Sequence, residues 1–192
     1  MDIYLIRHTT PDVPPGTCYG QSDVDVAASF MDEFSALHPK LKHLPEPRIY
    51  TSPLRRCVKL AESVASTFNT PLAVQHDERL KELNFGEWEM RSWNDIPHGL
   101  VKVWAEDHVR HVPPNGESYL QLAERAQTFL ADLKHDDEQP VLVFTHAGVI
   151  RALTGHALGL PLVHTFKLQV DYASVSKIVI EGPLSSVSFV NR

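Results

Sequence analysis

Ile3-Tyr4-Leu5-Ile6-Arg7-His8 and, far downstream, Val141-Leu142-Val143-Phe144-Thr145-His146 are the stretches that decide the fold. Each is a short apolar run that stops at a polar residue followed by a histidine, which predicts a strand buried on both faces. Between them, apolar residues recur at helical spacing in three segments: Ala27, Phe30, Met31, Phe34 and Leu37; Leu54, Cys57, Val58, Ala61, Val64, Ala65 and Phe68; and Tyr119, Leu122, Ala123, Ala126, Leu130 and Leu133. Ser52 as N-cap and Pro53 at the first helical position predict the start of the second helix. Asn69, Thr70 and Pro71 predict its end, ahead of the short run 72–74. A further helix is expected over residues 149–158, opened by Gly148 and closed by Gly159 and Pro161. The tail reads as strands over 166–170, 175–180 and 187–190, with Gly182 and Pro183 turning the chain between the last two.

Strands alternating with helices predict an α/β three-layer sandwich, a mostly parallel central sheet with helices on both faces and right-handed crossovers. Ligands of such sheets bind beyond the carboxyl ends of the strands, where His8 and His146 fall. Residues 75–116 are polar and weakly periodic and carry the three tryptophans, so they are expected to form a lid or insertion within a single domain spanning 1–192.

The composition narrows the function classes. A chain of 192 residues, 43% hydrophobic and 22% charged, is an ordinary globular sequence able to bury a full core without disulfides. Cys18 and Cys57 form neither a disulfide framework nor a CxxC pattern, and with no signal-peptide pattern at the N-terminus a reducing cytoplasm is expected. No apolar run approaches the roughly 20 residues of a membrane span. A net charge of -6 without a basic stripe argues against nucleic acid and anionic lipid, so an anionic substrate would need a local cationic cluster.

Several residues supply such a cluster. Arg7-His8 closes the first strand, where packing asks for neither. Thr51-Ser52-Pro53-Leu54-Arg55-Arg56 places two arginines in the first turn of a helix, a position unfavourable for cations unless an anion is bound there. Leu80-Lys81-Glu82-Leu83-Asn84-Phe85-Gly86-Glu87-Trp88-Glu89 sets carboxylates in an aromatic loop, and Thr145-His146-Ala147-Gly148 repeats the strand-then-histidine arrangement.

In this order the four pieces resemble the histidine phosphatase superfamily, the phosphoglycerate mutase-like enzymes, across essentially the whole chain. The family pattern is RHG after the first strand, S-x-L-x-R at a helix start, a Glu shortly before G-x-W-E, and a late His followed by a small residue and Gly. The resemblance implies a phosphoglycerate mutase-like fold with His8 as nucleophile, Arg7 and Arg56 as phosphate-binding arginines, Glu82 as proton donor and His146 as the second histidine. Arg55 falls on the variable position of its motif, and Pro114-Asn115-Gly116-Glu117-Ser118 matches the P-x-G-E-S that opens the later helix. Thr9 and Thr10 replace the usual Gly-Glu after the RH pair; Thr9 can donate to phosphate or hold the imidazole tautomer. Gln21 and Ala147 complete the expected substrate-binding set. No cofactor and no metal are expected, because the charged side chains take the place of a divalent ion.

The chemistry of these residue types agrees. Arginines hold the non-bridging oxygens of a phosphate monoester through parallel hydrogen bonds, and a neutral imidazole can take up the phosphoryl group. A carboxyl group in a partly apolar setting can protonate the leaving alkoxide and then activate water. Length and the Gly20-Gln21-x-Asp23 segment are most similar to the α-ribazole phosphatases of cobalamin synthesis; a broad-specificity acid or sugar phosphatase and a catalytically silent phospho-ligand binding protein are the alternatives. The expected partner is a small-molecule phosphate monoester, and the protein a monomer or homodimer. The tryptophans between 88 and 104 either stack on a planar substrate or pack the insertion down. A metal site at His108-Val109-Arg110-His111 lacks the ligand count such sites need.

Overall fold

The computed structural model describes residues 1–68, 72–133 and 139–192. Strand β1 (Asp2–Arg7) leads through a two-residue strand β2 (Thr17–Cys18) to helix α1 (Phe30–Leu41), strand β3 (Arg48–Thr51) and helix α2 (Arg55–Ala65). Strand β4 (Val74–His76), 3-10 turns at Glu78–Leu80 and Gly86–Trp88, short strand β5 (Arg91–Ser92) and helix α3 (His98–Glu106) follow. Helix α4 (Tyr119–Asp132), strand β6 (Val141–Thr145), helix α5 (Ala147–Ala157), a 3-10 segment Leu162–Lys167 and the hairpin β7 (Val175–Glu181) and β8 (Leu184–Phe189) complete the chain. The main sheet has the order β4-β3-β6-β1-β7-β8, with β7 and β8 antiparallel and the rest parallel.

Alternation along the central strands builds the layers. Ile3, Leu5, Val141 and Val143 face α4 and α5, whereas Tyr4, Ile6, Leu142 and Phe144 face α1 and α2. Each fully buried aliphatic side chain contributes about 1.5–3 kcal/mol relative to exposure, so a shift of β1 by one residue would pair the wrong set with each layer. The parallel register Arg7↔Thr145 then brings the carboxyl ends of β1 and β6 side by side, and His8 N donates to Thr145 O at 3.1 Å.

The structure corrects several local expectations. Helix α2 begins at Arg55 and not at Pro53, because Ser52, just past the end of β3, is still bonded to β6: its amide donates to Phe144 O at 2.9 Å. The Ser52 hydroxyl is drawn to His146, and Asp23 Oδ1 accepts from Arg55 N at 2.7 Å in place of the predicted cap. The strand expected over 166–170 is instead a 3-10 turn running into an extended segment. Thr165 Oγ1 donates to Leu162 O, while the carbonyls of Leu168 and Val170 accept from Arg151 and Arg7, not from a neighbouring strand. Met31, placed on the inner stripe of the first helix, is exposed; Leu37 and Leu41 are the residues that helix buries. The short run 72–74 leads into strand β4 at Val74–His76, and the Asn69-Thr70-Pro71 break falls outside the described residues.

The stretch 75–116 holds more regular structure than its weak periodicity suggests. Trp88 is buried and meets Trp93 and Trp104 edge-on, with Phe85 packed on the same cluster. The tryptophans therefore pack this stretch together. Among the described residues, no helix is long and apolar enough to cross a membrane.

Candidate active site

His8 and His146 follow the paired ends of β1 and β6, and their rings lie 5.0 Å apart. His8 is buried, and its Nδ1 lies 2.7 Å from Thr9 O. A carbonyl can only accept, so Nδ1 carries the proton and Nε2 keeps its lone pair. That Nε2 is buried with no partner among the described residues. Burial, then the charges of Arg56 and Arg7, hold the imidazole well below its usual pKa of 6.5 against the opposing bond to Thr9, so it is neutral near pH 7. It is the carbonyl of Thr9 that fixes the tautomer; the Thr9 hydroxyl is itself buried and unpartnered.

Two guanidinium groups bracket this imidazole. Arg7 donates from Nη1 to Val170 O at 2.6 Å and stacks 3.8 Å above the Tyr172 ring. Arg56 is fully buried in the first turn of α2, donating to Ser22 O at 2.9 Å and to Gly20 O at 2.7 Å. Nε of both arginines is buried without a partner among the described residues. A net-negative chain thus concentrates positive charge at one buried point, where buried polar groups ordinarily have partners. Arg55 turns the other way, to Asp23 and Asp25 at the surface.

His146 is buried between Arg56 Nη2, 3.3 Å from Nδ1, and Ser52 Oγ, 2.8 Å from Nε2. Because arginine only donates, Nδ1 accepts and Nε2–H points at Ser52. Burial and the neighbouring Arg56 charge keep this imidazole neutral as well. Cys57 Sγ lies 3.4 Å from the same Nε2, and burial pushes its thiol up to about 12, so it packs as a small apolar group.

Glu82 enters from the loop after the Glu78–Leu80 turn. Its carboxylate accepts from Leu83 N at 2.9 Å and from Gly148 N, in the first turn of α5, at 3.3 Å. Gly148 is needed here because a Cβ would stand 2.3 Å from Glu82 Oε1. Thr145 Oγ1 donates to Leu80 O at 2.7 Å, tying the end of β6 to the approach to Glu82. Ala147, the first residue of α5, is buried beside them. Gln21 is near but turned away from His8: its side-chain amide donates to Glu82 O at 2.9 Å and to Glu117 Oε1 at 3.3 Å.

Two contributions were not evident from the motifs. Tyr19 and Tyr172 flank His8 with ring centroids 6.3 and 5.6 Å away, their hydroxyls 3.0 Å apart. Tyr19 neighbours a recognised segment, but Tyr172 lies in a tail loop without any pattern. Glu89, the last residue of G-x-W-E, accepts from Gln21 N, Ser22 N, Ser22 Oγ and Phe85 N. It shapes the loop whose Gly20 and Ser22 carbonyls grip Arg56. Gly20 is needed at that turn, with φ +38° and a Cβ that would fall 2.2 Å from Glu89 Oε1.

A sequence model of the histidine phosphatase superfamily (branch 1) matches residues 3–192. The chain belongs to this superfamily. It is 28% identical to "Putative phosphoserine phosphatase 2" of Hydrogenobacter thermophilus, over 99% of this chain and 95% of the relative. It is also 28% identical to the adenosylcobalamin/alpha-ribazole phosphatase of Escherichia coli, over 100% of this chain and 96% of the relative. Among solved structures, the alpha-ribazole phosphatase from Shigella flexneri superposes with a TM-score of 0.90 at 26% identity, covering 100% of this chain and 96% of that one. The histidine phosphatase fold, a mostly parallel sheet between helical layers, is thus shared along the whole chain. Its relatives support a phosphatase. Among the described residues no group of three or more His, Cys, Asp or Glu could hold a metal ion; His108 packs on Phe166, ring centroids 4.5 Å apart.

Proposed function

We propose that this histidine phosphatase is a metal-independent phosphomonoesterase that works through a phosphohistidine on His8. The observation that carries the proposal is the buried, unpartnered Nε2 of a neutral His8 between the guanidinium groups of Arg7 and Arg56. The Nε2 lone pair attacks phosphorus, the P–O bond to the alcohol breaks, and the departing oxygen takes a proton from Glu82. Glu82 then removes a proton from water, the resulting hydroxide displaces Nε2 from phosphorus, and inorganic phosphate leaves with His8 neutral again. Arg7 and Arg56 hold the non-bridging oxygens, with the Thr9 hydroxyl and the Ala147 amide as further donors, while His146, bonded through Nδ1 to Arg56, aims that guanidinium at them. Gln21 serves this site through the Glu82 main chain.

The alcohol is proposed as α-ribazole, on the strength of whole-length similarity to proteins bearing that name; a broad-specificity or sugar phosphatase would use the same charged groups. The stretch 75–116 is proposed to border the substrate alcohol, since it carries Glu82. The test is phosphate release in EDTA by wild type and His8→Ala over α-ribazole 5'-phosphate, phosphoserine, 3-phosphoglycerate, sugar phosphates and an aryl phosphate. A lead for α-ribazole phosphate that is lost in the variant is expected. Broad release lost in the variant would discard the narrow substrate, and near-normal release by His8→Ala would discard the nucleophile.

A further inference from the structure

The Pro114-Asn115-Gly116-Glu117-Ser118 segment lies outside the phosphate cluster, yet it is locked against the loop that carries Glu82. A Cβ on Gly116 would stand 2.4 Å from Asn84 O, and one on Gly86 would stand 2.1 Å from Pro114 O. Glu117 N donates to Asn84 O at 2.9 Å, and Asn84 N returns a bond to Glu117 Oε1 at 3.0 Å. These contacts are backbone-close on both sides, so neither loop can shift without the other.

Arg125, two turns along α4, closes the arrangement. All five of its N–H groups are engaged. Nε donates to Glu117 Oε2 at 3.1 Å, and Nη2 donates to Glu117 Oε1 at 2.6 Å and to Glu82 O at 2.9 Å. Nη1 donates to both Arg79 O and Lys81 O at 2.6 Å. Both side chains are largely sheltered, 19% and 17% exposed. One guanidinium therefore holds three carbonyls of the turn that ends at Glu82, while its ion-pair partner holds the amide two residues beyond. Gln21 adds a further grip, on Glu82 O and Glu117 together. Among the described residues the Glu82 carboxylate itself is held by two amides, those of Leu83 and Gly148, so its reach toward a leaving oxygen is set by where this main chain is held.

We propose that Arg125 and Glu117 are a positioning pair that fixes the Glu82 main chain, and through it the distance from the Glu82 carboxyl to the leaving-group oxygen. The proposal rests on Glu82 being the proton donor. Lysine cannot replace Arg125: it has three donors on one atom, and a flat fork is needed to meet a bidentate carboxylate and three carbonyls.

The test compares kcat/KM for a nitrophenyl phosphate, whose leaving group needs little protonation, with that for a primary alkyl phosphate, which needs a proton. The ratio kcat/KM reports phosphoryl transfer to His8 before hydrolysis of the phosphoenzyme. Wild type, Arg125→Lys, Glu117→Gln, Glu82→Gln and the Arg125→Lys/Glu82→Gln double variant are compared, with thermal unfolding as a control. Arg125→Lys is expected to lower the alkyl value on the order of 10²-fold, as a misplaced reacting group does, and the aryl value by less than about tenfold. It should add no further selective loss on Glu82→Gln. Glu117→Gln keeps an acceptor for Asn84 and Gln21 and should show a smaller loss of the same kind, so it decides the matter if Arg125→Lys does not fold. Equal losses on both esters, or a full selective loss on top of Glu82→Gln, would overturn the positioning role. If Glu82→Gln itself is unselective, the acid assignment fails instead.

Discussion

Replacing Gly148 with alanine should disable the proton donation proposed for Glu82 while leaving the fold almost untouched. The backbone at Gly148 is ordinary helix, so alanine fits it and gains up to ~1 kcal/mol of helix propensity. The added Cβ would meet Glu82 Oε1 at 2.3 Å, while the next atoms, Glu82 Cδ and Leu122 Cδ1, stand at 3.3 Å. The Glu82 carboxylate, the free end of a flexible side chain, must therefore retreat by about 1 Å to reach ordinary contact, and with it the 3.3 Å bond from Gly148 N is lost. That bond to a charged group is worth about 1.5–3 kcal/mol, so the net stability change is a loss of about 0.5–2 kcal/mol. The catalytic effect is larger: a 1 Å misplacement can cost about 10²-fold, within the 10²–10⁴-fold that general acid catalysis provides. Steady-state kcat/KM for a primary alkyl phosphate should fall by about that factor, with a much smaller change for a nitrophenyl phosphate. Equal effects on both esters, or an alkyl value unchanged in a folded variant, would refute the reasoning that Gly148 exists to admit the Glu82 carboxylate.

Other outcomes follow from the same geometry. Glu82→Gln should slow alkyl esters far more than activated aryl esters, read as the dependence of kcat/KM on leaving-group acidity; equal slowing would remove the acid role. His8 and His146, both held below 6.5, should show no imidazole titration near 6.5 by NMR in the folded protein. The unfolded chain then binds protons that the folded one does not, so unfolding free energy should fall as pH drops below about 6.5 and level off once the folded-state values are passed. Stability independent of pH over that window in the wild type, or equal slopes in wild type and a His146→Gln variant, would contradict it. Cys18 and Cys57, buried with thiols raised to about 12, should resist iodoacetamide at pH 8 until the chain is denatured, as mass spectrometry would show. Trp88→Ala should cost about 3–5 kcal/mol in urea unfolding by emptying the aromatic cluster, and a loss under ~1 kcal/mol would mean that cluster is loosely packed.

The sequence by itself determined the central strands, four of the helices and the five residues, Arg7, His8, Arg56, Glu82 and His146, that the structure brings together at the ends of β1 and β6. Strands β1 and β6 are continuous apolar runs whose burial needs no partner to be read, and the helical stripes repeat over ten or more residues. Short elements were not legible: β3, at Arg48–Thr51, alternates too briefly to stand out, and the 3-10 turn at Leu162–Lys167 looks like a strand because Phe166 is apolar for a tertiary reason, its contact with Tyr119 and His108. The start of α2 was misplaced for a similar cause, since Ser52 could cap the helix locally but its hydroxyl is 2.8 Å from His146, which is 94 residues away in sequence.

What only the tertiary structure decided is the state and aim of those site residues. A motif names a histidine, but burial beside two arginines makes it neutral, and a single bond from Nδ1 to Thr9 O leaves Nε2 as the nitrogen with a free lone pair. The register between β1 and β6 brings together histidines 138 residues apart, and the close approach of Gly148 leaves room for one carboxylate. These are long-range contacts, and the pattern of any one segment carries no information about the groups that will face it.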